Sequence, residues 1–344
     1  MYLFFIFLGS LAMIGTGIGG VSTNRVGRRA QAGDICRIVA PLSPGLPQLL
    51  NETVQVVTDL GFTAQISNDI YDIIGPDDGE QWYSNTDEFR ARDLADAILD
   101  PQVKIIWLIN GGSGAFRTIE GLERMLPPAP LPSKPIIGFS AVTPIFAYLQ
   151  QKYDWPTIHG AVLDLIVQNY YENSTEISVD PLIDLMYGNI TNTTVPFLTR
   201  IDNGTVLDEP LISTVVGGSF RQIALTIGTP YKLNTTGRIL FLEMFEQDPN
   251  SVQDFFDALL FSGTFDNVSA IVFGDFMADM FHPPHKIQWI LEKFANENPR
   301  VTAPVFRLFG IGHTNTNHPL PFNTKAVLRN VIGDTYMLTV DNVY

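Results

Sequence analysis

The stretch VKIIWLINGGSGA, residues 103–115, decides the fold. From Val103 to Ile109 it is apolar except for Lys104, so it reads as a strand buried in a sheet rather than lying half-wet at an edge. Glycines follow at once, where the chain must leave the strand by a tight turn. Upstream, Ile35 to Ala40 is a second buried strand, and PLSPGLP after it is a turn. Gln48 to Leu60 has helical spacing, with Leu49, Leu50, Val54, Val57 and Leu60 apolar. Thr63 to Ile66 is a short strand. Thr86 or Asp87 caps a helix that runs to Leu99 and stops at Asp100-Pro101. Downstream, a helix through Leu122 to Leu126 leads by a Pro-rich turn to the strand Pro135 to Ile137, and GFSA follows that strand.

Strands alternating with helices make βαβ units around a parallel sheet, whose working residues lie at the carboxyl ends of the strands. NGGSGA and GFSA both lie there. The expected class is α/β. Residues 34–170 form an N-terminal Rossmann- or flavodoxin-like parallel-sheet domain, and residues 211–344 a smaller, β-rich α/β domain. Residues 171–210 are polar and broken by turns, and read as a connection with one helix around Pro181 to Met186. In the second domain VVGG, GRILFLE, SAIVFGDF and PVFRLFGIG are the clearest strands. Helices are expected at Phe220 to Thr226, Val252 to Phe261 and Pro284 to Phe294. No internal repeat is visible.

The chain has 344 residues, 45% hydrophobic and 17% charged, a globular composition. Its net charge is −15 and it shows no basic patch, which argues against nucleic acid as a partner. Residues 2–20 carry no charge and are followed by Arg25, Arg28 and Arg29, the mark of a signal peptide or a membrane anchor. Seven N-x-S/T sequons stand at Asn51, Asn173, Asn189, Asn192, Asn203, Asn234 and Asn267, and glycosylation there requires a secretory compartment. The expected location is therefore secreted or lumenal, without stable membrane association once a signal is cleaved. Cys36 is the single cysteine, so an internal disulfide is excluded, and its apolar setting reads as a buried structural thiol.

Ser140, in GFSAV, sits where a strand turns into a helix. Such a turn exposes a serine Oγ and aims helix N–H groups, here that of Ala141, at a reacting carbonyl. The full G-x-S-x-G pattern is absent, because Val142 stands where the second glycine would be, so a plain turn serine remains open at this point. The glycines of NGGSGA do not fit G-x-G-x-x-G and instead suit a loop of backbone donors. A serine nucleophile needs a base and an orienting acceptor. Of the five histidines, His159 follows the helix after Ser140, His282 and His285 form HPPH, and His313 and His318 lie in GIGHTNTNHPLPF. HPPH lacks the carboxylate or cysteine company of a metal site, so no metal or cofactor is expected. His313 follows an apolar strand, and Glu243 ends another.

These stretches, taken in order, resemble the LD-carboxypeptidase family of serine peptidases, which includes microcin-immunity hydrolases. The resemblance covers Ile35 to Val327. It is carried by NTDEFRARDLADAILDPQVKIIW, NGGSGAFR, KPIIGFSAVT, TIHGAV, GGSFRQIALTIGTPY, GRILFLE, AIVFGDF and GHTNTNHPLPF. It implies a Ser-Glu-His triad: Ser140 as nucleophile, Glu243 ending I-L-F-L-E, and His313 in the late G-H motif. It also implies an oxyanion hole from Gly112, the likelier of the pair Gly111-Gly112, and the N–H of Ala141. The chain departs from the family at Ala141, where Asp is usual, at Asn110, where Arg is usual, and at Ser219-Phe220 in place of Asn-Leu. The implied substrate is the amide between an L-centred residue and a terminal D-amino acid in murein peptides. Two alternatives stand beside it: another peptide-like or acyl-nucleotide amide, and an inactive secreted binding protein on the same scaffold. The resemblance also implies pairing as a homodimer.

Overall fold

The computed structural model describes residues 29–75, 82–171, 179–314, 316–342 and 344. The uncharged segment 2–20 and the sequon at Asn173 lie outside the described residues. Strands β1 (Ile35–Val39), β2 (Thr63–Gln65), β3 (Val103–Leu108), β4 (Ile136–Gly138) and β5 (Thr157–His159) pair in parallel in the order β5-β4-β3-β1-β2. They are joined and followed by α1 (Leu50–Asp59), α2 (Asp87–Leu99), α3 (Ala115–Met125), α4 (Thr143–Tyr153), α5 (Leu163–Tyr171) and α6 (Asp180–Tyr187).

Both faces of this sheet are covered, which is why β3 is apolar without alternation. Ile106 and Leu108 face a core with Leu94, Ile98, Ile119 and Ile145 from α2, α3 and α4. Ile105 and Trp107 face the other core, with Val57, Leu163 and Met186 from α1, α5 and α6. Cys36 is fully buried in that second core, and burial raises its thiol far above the ordinary range, so it is a packing residue. The start of α2 is settled by Thr86, whose side chain accepts from the Phe89 N–H at 3.2 Å. Asp100, held extended by the following proline, ends the helix.

The C-terminal part is a closed barrel. Strands β6 (Asn192–Arg200), β7 (Leu211–Ser219), β8 (Ile239–Gln247), β9 (Ala270–Ala278) and β10 (Val305–Arg307) are followed by β11 (Leu320–Phe322), β12 (Lys325–Ile332) and β13 (Thr335–Asp341). The ring order is β10-β6-β13-β12-β7-β8-β9, and β7 to β10 run parallel. Ile239 and Phe241 of β8 point into the barrel with Val215, Val272 and Leu338. Leu240 and Leu242 point outward, under α7 (Phe220–Leu225), α8 (Pro249–Phe261) and α9 (Pro284–Glu297). Alternation along β8 therefore carries Glu243 to the inner side at the barrel mouth.

The structure corrects two boundaries. The stretch 171–210 is not only a connection, because β6 within it is a barrel strand paired with β13 from Asn192 to Thr199. Its sequence hides this: Leu198 alone is fully buried, and Phe197, at φ 62°, breaks the alternation and stands exposed. Nor does 211–344 stay in its own domain. β11 leaves the barrel and adds an antiparallel sixth strand to the N-terminal sheet beside β5. Tyr344 also returns to that domain, where its hydroxyl donates to the Pro156 carbonyl at 2.8 Å. The two domains are thus tied by exchanged chain as well as by surface contact.

Candidate active site

Ser140 opens a 3-10 turn (Ser140–Val142) between β4 and α4. Its φ is 67°, a left-handed conformation that a residue with a Cβ adopts only at a cost. This is the sharp strand-to-helix turn expected of a raised nucleophile. The Ala141 N–H lies in the first turn of that short helix, among the donors that a helix start leaves without an intrahelical partner.

The turn is held by Thr143. Its Oγ1 donates to the Ser140 carbonyl at 2.7 Å and accepts the Ser219 N–H at 3.0 Å. That bond links the end of β7 in the barrel to the serine turn. It explains the glycines of GGSF. A Cβ on Gly218 would lie 2.5 Å from Thr143 Oγ1, and one on Gly217 would lie 1.8 Å from the Phe241 carbonyl oxygen. The sequence offered the glycine pair as a family motif, but not Thr143 as the residue it packs on.

The glycine loop after β3 lies against the serine. A Cβ built on Gly111 would be 3.6 Å from Ser140 Oγ. The Gly111 N–H is used by Asn110, whose Oδ1 accepts it at 2.7 Å. The Gly111 carbonyl accepts the Ser43 N–H at 3.1 Å, and Ser43 Oγ donates to the Trp82 carbonyl at 2.8 Å. Gly112, at φ 108°, packs directly on Ser43. Gly111 is thus the glycine beside Ser140, with its N–H engaged, and the next donors along the two loops are the N–H groups of Gly112 and Ala141. The loop after β1 that carries Ser43 is pinned further along, where Asp164 Oδ2 accepts the Leu46 N–H at 2.9 Å. Burial pushes the Asp164 carboxyl up to about 6, against a partial opposing pull from that hydrogen bond.

The barrel domain contributes the pair Glu243 and His313. His313 Nδ1 and Glu243 Oε2 are 2.5 Å apart. Glu243 is fully buried, and its Oε1 has no hydrogen-bond partner among the described residues. Phe139, the residue before Ser140, lies 4.7 Å ring-to-ring from His313, and Phe245 lies 5.0 Å away on β8. The imidazole is therefore confined between two rings and fixed at Nδ1. Gly312 has no room for a side chain, since a Cβ there would lie 3.1 Å from Glu243 Cβ and 3.2 Å from Asp275 Cβ.

The structure thus carries Ser140 and Ala141 on the turn after β4, Gly112 in the loop after β3, Glu243 within β8, which runs on to Gln247 past the end expected at Leu242, and His313 in the loop after β10. Of the other histidines, His318 lies against the segment that carries His313, its backbone N–H donating to the Gly310 carbonyl at 2.8 Å. His159 is 1% exposed, packed on Phe139, Phe241 and Phe322, and burial lowers it to about 4, so it is a neutral core residue. His282 Nδ1 pairs with Asp279 at 2.7 Å. Among the described residues, no group of three His, Cys, Asp or Glu side chains stands close enough to hold a metal ion.

Ser140 thus sits on a left-handed strand-to-helix turn of the first domain, and the hydrogen-bonded pair His313–Glu243 sits on the second. Family models for the LD-carboxypeptidase N-terminal and C-terminal domains match residues 36–160 and 213–328. The chain belongs to the LD-carboxypeptidase family of serine peptidases. It is 25% identical over 325 residues to a Bacillus subtilis protein described as a probable murein peptide carboxypeptidase, covering 90% of this chain and 93% of that one. It is 23% identical over 262 residues to the murein tetrapeptide carboxypeptidase of Pseudomonas aeruginosa, covering 72% and 80%. A muramoyltetrapeptide carboxypeptidase structure from Oxalobacter formigenes shares the fold at TM-score 0.62 and 20% identity, over 89% of this chain and 98% of that one. The microcin C7 self-immunity protein MccF, bound to aspartyl sulfamoyl adenosine, shares it at 0.67 and 17%, over 92% and 98%.

Proposed function

We propose that the protein is an LD-carboxypeptidase that cleaves the amide before a terminal D-amino acid in murein-type peptides. The observation that carries the chemistry is the 2.5 Å hydrogen bond from His313 to the buried Glu243, with the His313 ring 4.7 Å from that of Phe139, the residue before a serine held at φ 67°. Murein is the reading of the substrate because two curated relatives are named for it. In this mechanism His313 Nε2 takes the Ser140 proton as Oγ attacks the carbonyl. Glu243 holds the ring in the tautomer with the proton on Nδ1 and stabilises the imidazolium that forms. The N–H groups of Gly112 and Ala141 hold the oxyanion, each contributing roughly 3 kcal/mol by analogy with other acyl-transfer sites. His313 then protonates the departing D-amino acid, and water, activated by the same imidazole, releases the acyl group from Ser140. Ala141 in place of the usual Asp leaves this intact, because the mechanism uses only the backbone N–H at that position.

The same reading places the protein in the secretory lumen or outside the cell, acting on fragments of bacterial wall. The uncharged segment 2–20 supports it, as do the sequons. Asn51, Asn189, Asn203, Asn234 and Asn267 are exposed, as glycan attachment requires, and Asn192 is half-buried.

The test is incubation with L-Ala-γ-D-Glu-meso-diaminopimelate-D-Ala, with free D-alanine as the readout. D-Alanine release that disappears in Ser140→Ala is the expected result. A protein that reacts at Ser140 yet releases no D-alanine would refute the murein substrate while leaving the hydrolase intact.

A further inference from the structure

His313 sits on a segment that has little stiffness of its own. Gly310 and Gly312 precede it at φ 87° and 141°, conformations open to glycine, so the backbone on its N-terminal side is loose by composition. Yet a general base must be held within a fraction of an ångström of its partner to work. Something outside the segment has to hold it, and Asp275, on β9, reaches it from three directions.

The Asp275 carboxylate accepts the Gly310 N–H at 3.0 Å through Oδ2, with Oδ1 at 3.3 Å. The same Oδ2 accepts the Thr314 hydroxyl at 2.8 Å. The Asp275 backbone N–H donates to the Ile311 carbonyl at 3.0 Å. The points held are therefore three residues before, two before and one after His313. Asp275 is 6% exposed and sits on the strand beside Glu243, with Gly312 wedged between the two side chains. A carboxylate buried this far is costly unless its oxygens are used, and here they are used on the histidine segment. The bond to the other catalytic partner, Glu243, fixes the ring, whereas the Asp275 bonds fix the chain that carries the ring.

We propose that Asp275 is a positioning residue for His313, clamping residues 310–314 so that the imidazole meets Glu243 and Ser140 in register. It does not touch substrate. The proposal rests on the assignment of His313 as the base, but not on the murein substrate.

The test is the rate at which a fluorophosphonate labels Ser140 in the full-length protein, which depends on the base and needs no peptide. Asp275→Ala should slow labelling by about 10²-fold, the scale of a misplacement near 1 Å. Asp275→Asn, which keeps one acceptor oxygen, should restore part of that rate, a rescue that a charge effect alone would not give. Thr314→Val removes a single strut and should slow labelling less than Asp275→Ala. The downfield Nδ1 proton of His313 should broaden in all three, while its signal in the wild type stays sharp. If Asp275→Ala does not fold, Asp275→Asn and Thr314→Val carry the test. Wild-type labelling and an unchanged Nδ1 proton in the folded variants would overturn the proposal. Normal labelling of the wild type without D-alanine release would instead refute the substrate and leave this inference standing.

Discussion

Replacing Gly112 by alanine tests the oxyanion loop by a change of one carbon. The added Cβ would lie 1.9 Å from Ser43 Oγ and 2.5 Å from Ser43 Cβ. Carbon and oxygen in van der Waals contact stand about 3.3 Å apart, so the two loops must separate by about 1.4 Å. Alanine at a φ of 108° adds a backbone penalty of at least about 1–2 kcal/mol. Moving Ser43 also breaks its bonds to the Gly111 and Trp82 carbonyls, at about 1 kcal/mol each. The expected destabilisation is about 3–4 kcal/mol, read as a shift in the urea midpoint at unchanged slope. Displacing the Gly112 N–H should also cost a factor of about 10²–10³ in acylation, the range for losing one oxyanion donor. The assay is the fluorophosphonate labelling rate under conditions where the variant is folded. A folded Gly112→Ala that labels at the wild-type rate would refute the assignment of Gly112. One with wild-type stability would refute the packing argument as well.

Other outcomes follow from the same geometry. Glu243→Gln keeps the volume but favours the wrong imidazole tautomer, and should lower kcat by about 10³–10⁴-fold with little change in KM, measured in steady-state kinetics. Asp164 titrates near 6 in the fold, above its ordinary 3.8, so the native state holds this proton more tightly than the unfolded chain. The stability it contributes is present below about 3.8 and is lost as pH rises through about 6. Asp164→Asn should therefore gain on the wild type by up to about 3 kcal/mol between pH 4 and pH 7, in urea melts at the two pH values. A constant difference across that range would show that Asp164 does not titrate there.

The parallel sheet was legible because both of its faces are buried and its strands stand between helices with clear caps. Thr86, Asp100-Pro101 and the apolar run of β3 mark their own boundaries. The candidate site residues stand out for a related reason: Ser140 and His313 come after apolar strands and Glu243 after the apolar run Ile239 to Leu242, and strand ends are where such sheets do their chemistry. The barrel was harder to read. β6 has a single fully buried residue and begins at a sequon, Asn192, so its polarity reads as a connection. β12 is partly exposed and carries Lys325 and Arg329, β13 is half-buried on one face, and neither was among the strands expected. β11 has only three residues, and its pairing with β5 is a contact across the whole chain that no local pattern encodes. Ser43, Thr143 and Asp275 were missed for the same reason. Each acts through a contact to a residue far away in sequence, which a lone Ser, Thr or Asp does not announce.

The account stands on Ser140 being a nucleophile driven by His313. The most direct measurement is intact-protein and peptide mass spectrometry after fluorophosphonate treatment, comparing the wild type with His313→Ala. One adduct per chain, located on Ser140 and lost or strongly slowed in His313→Ala, is the predicted result. An unmodified Ser140 in the folded wild type, or equal labelling of both proteins, would contradict it.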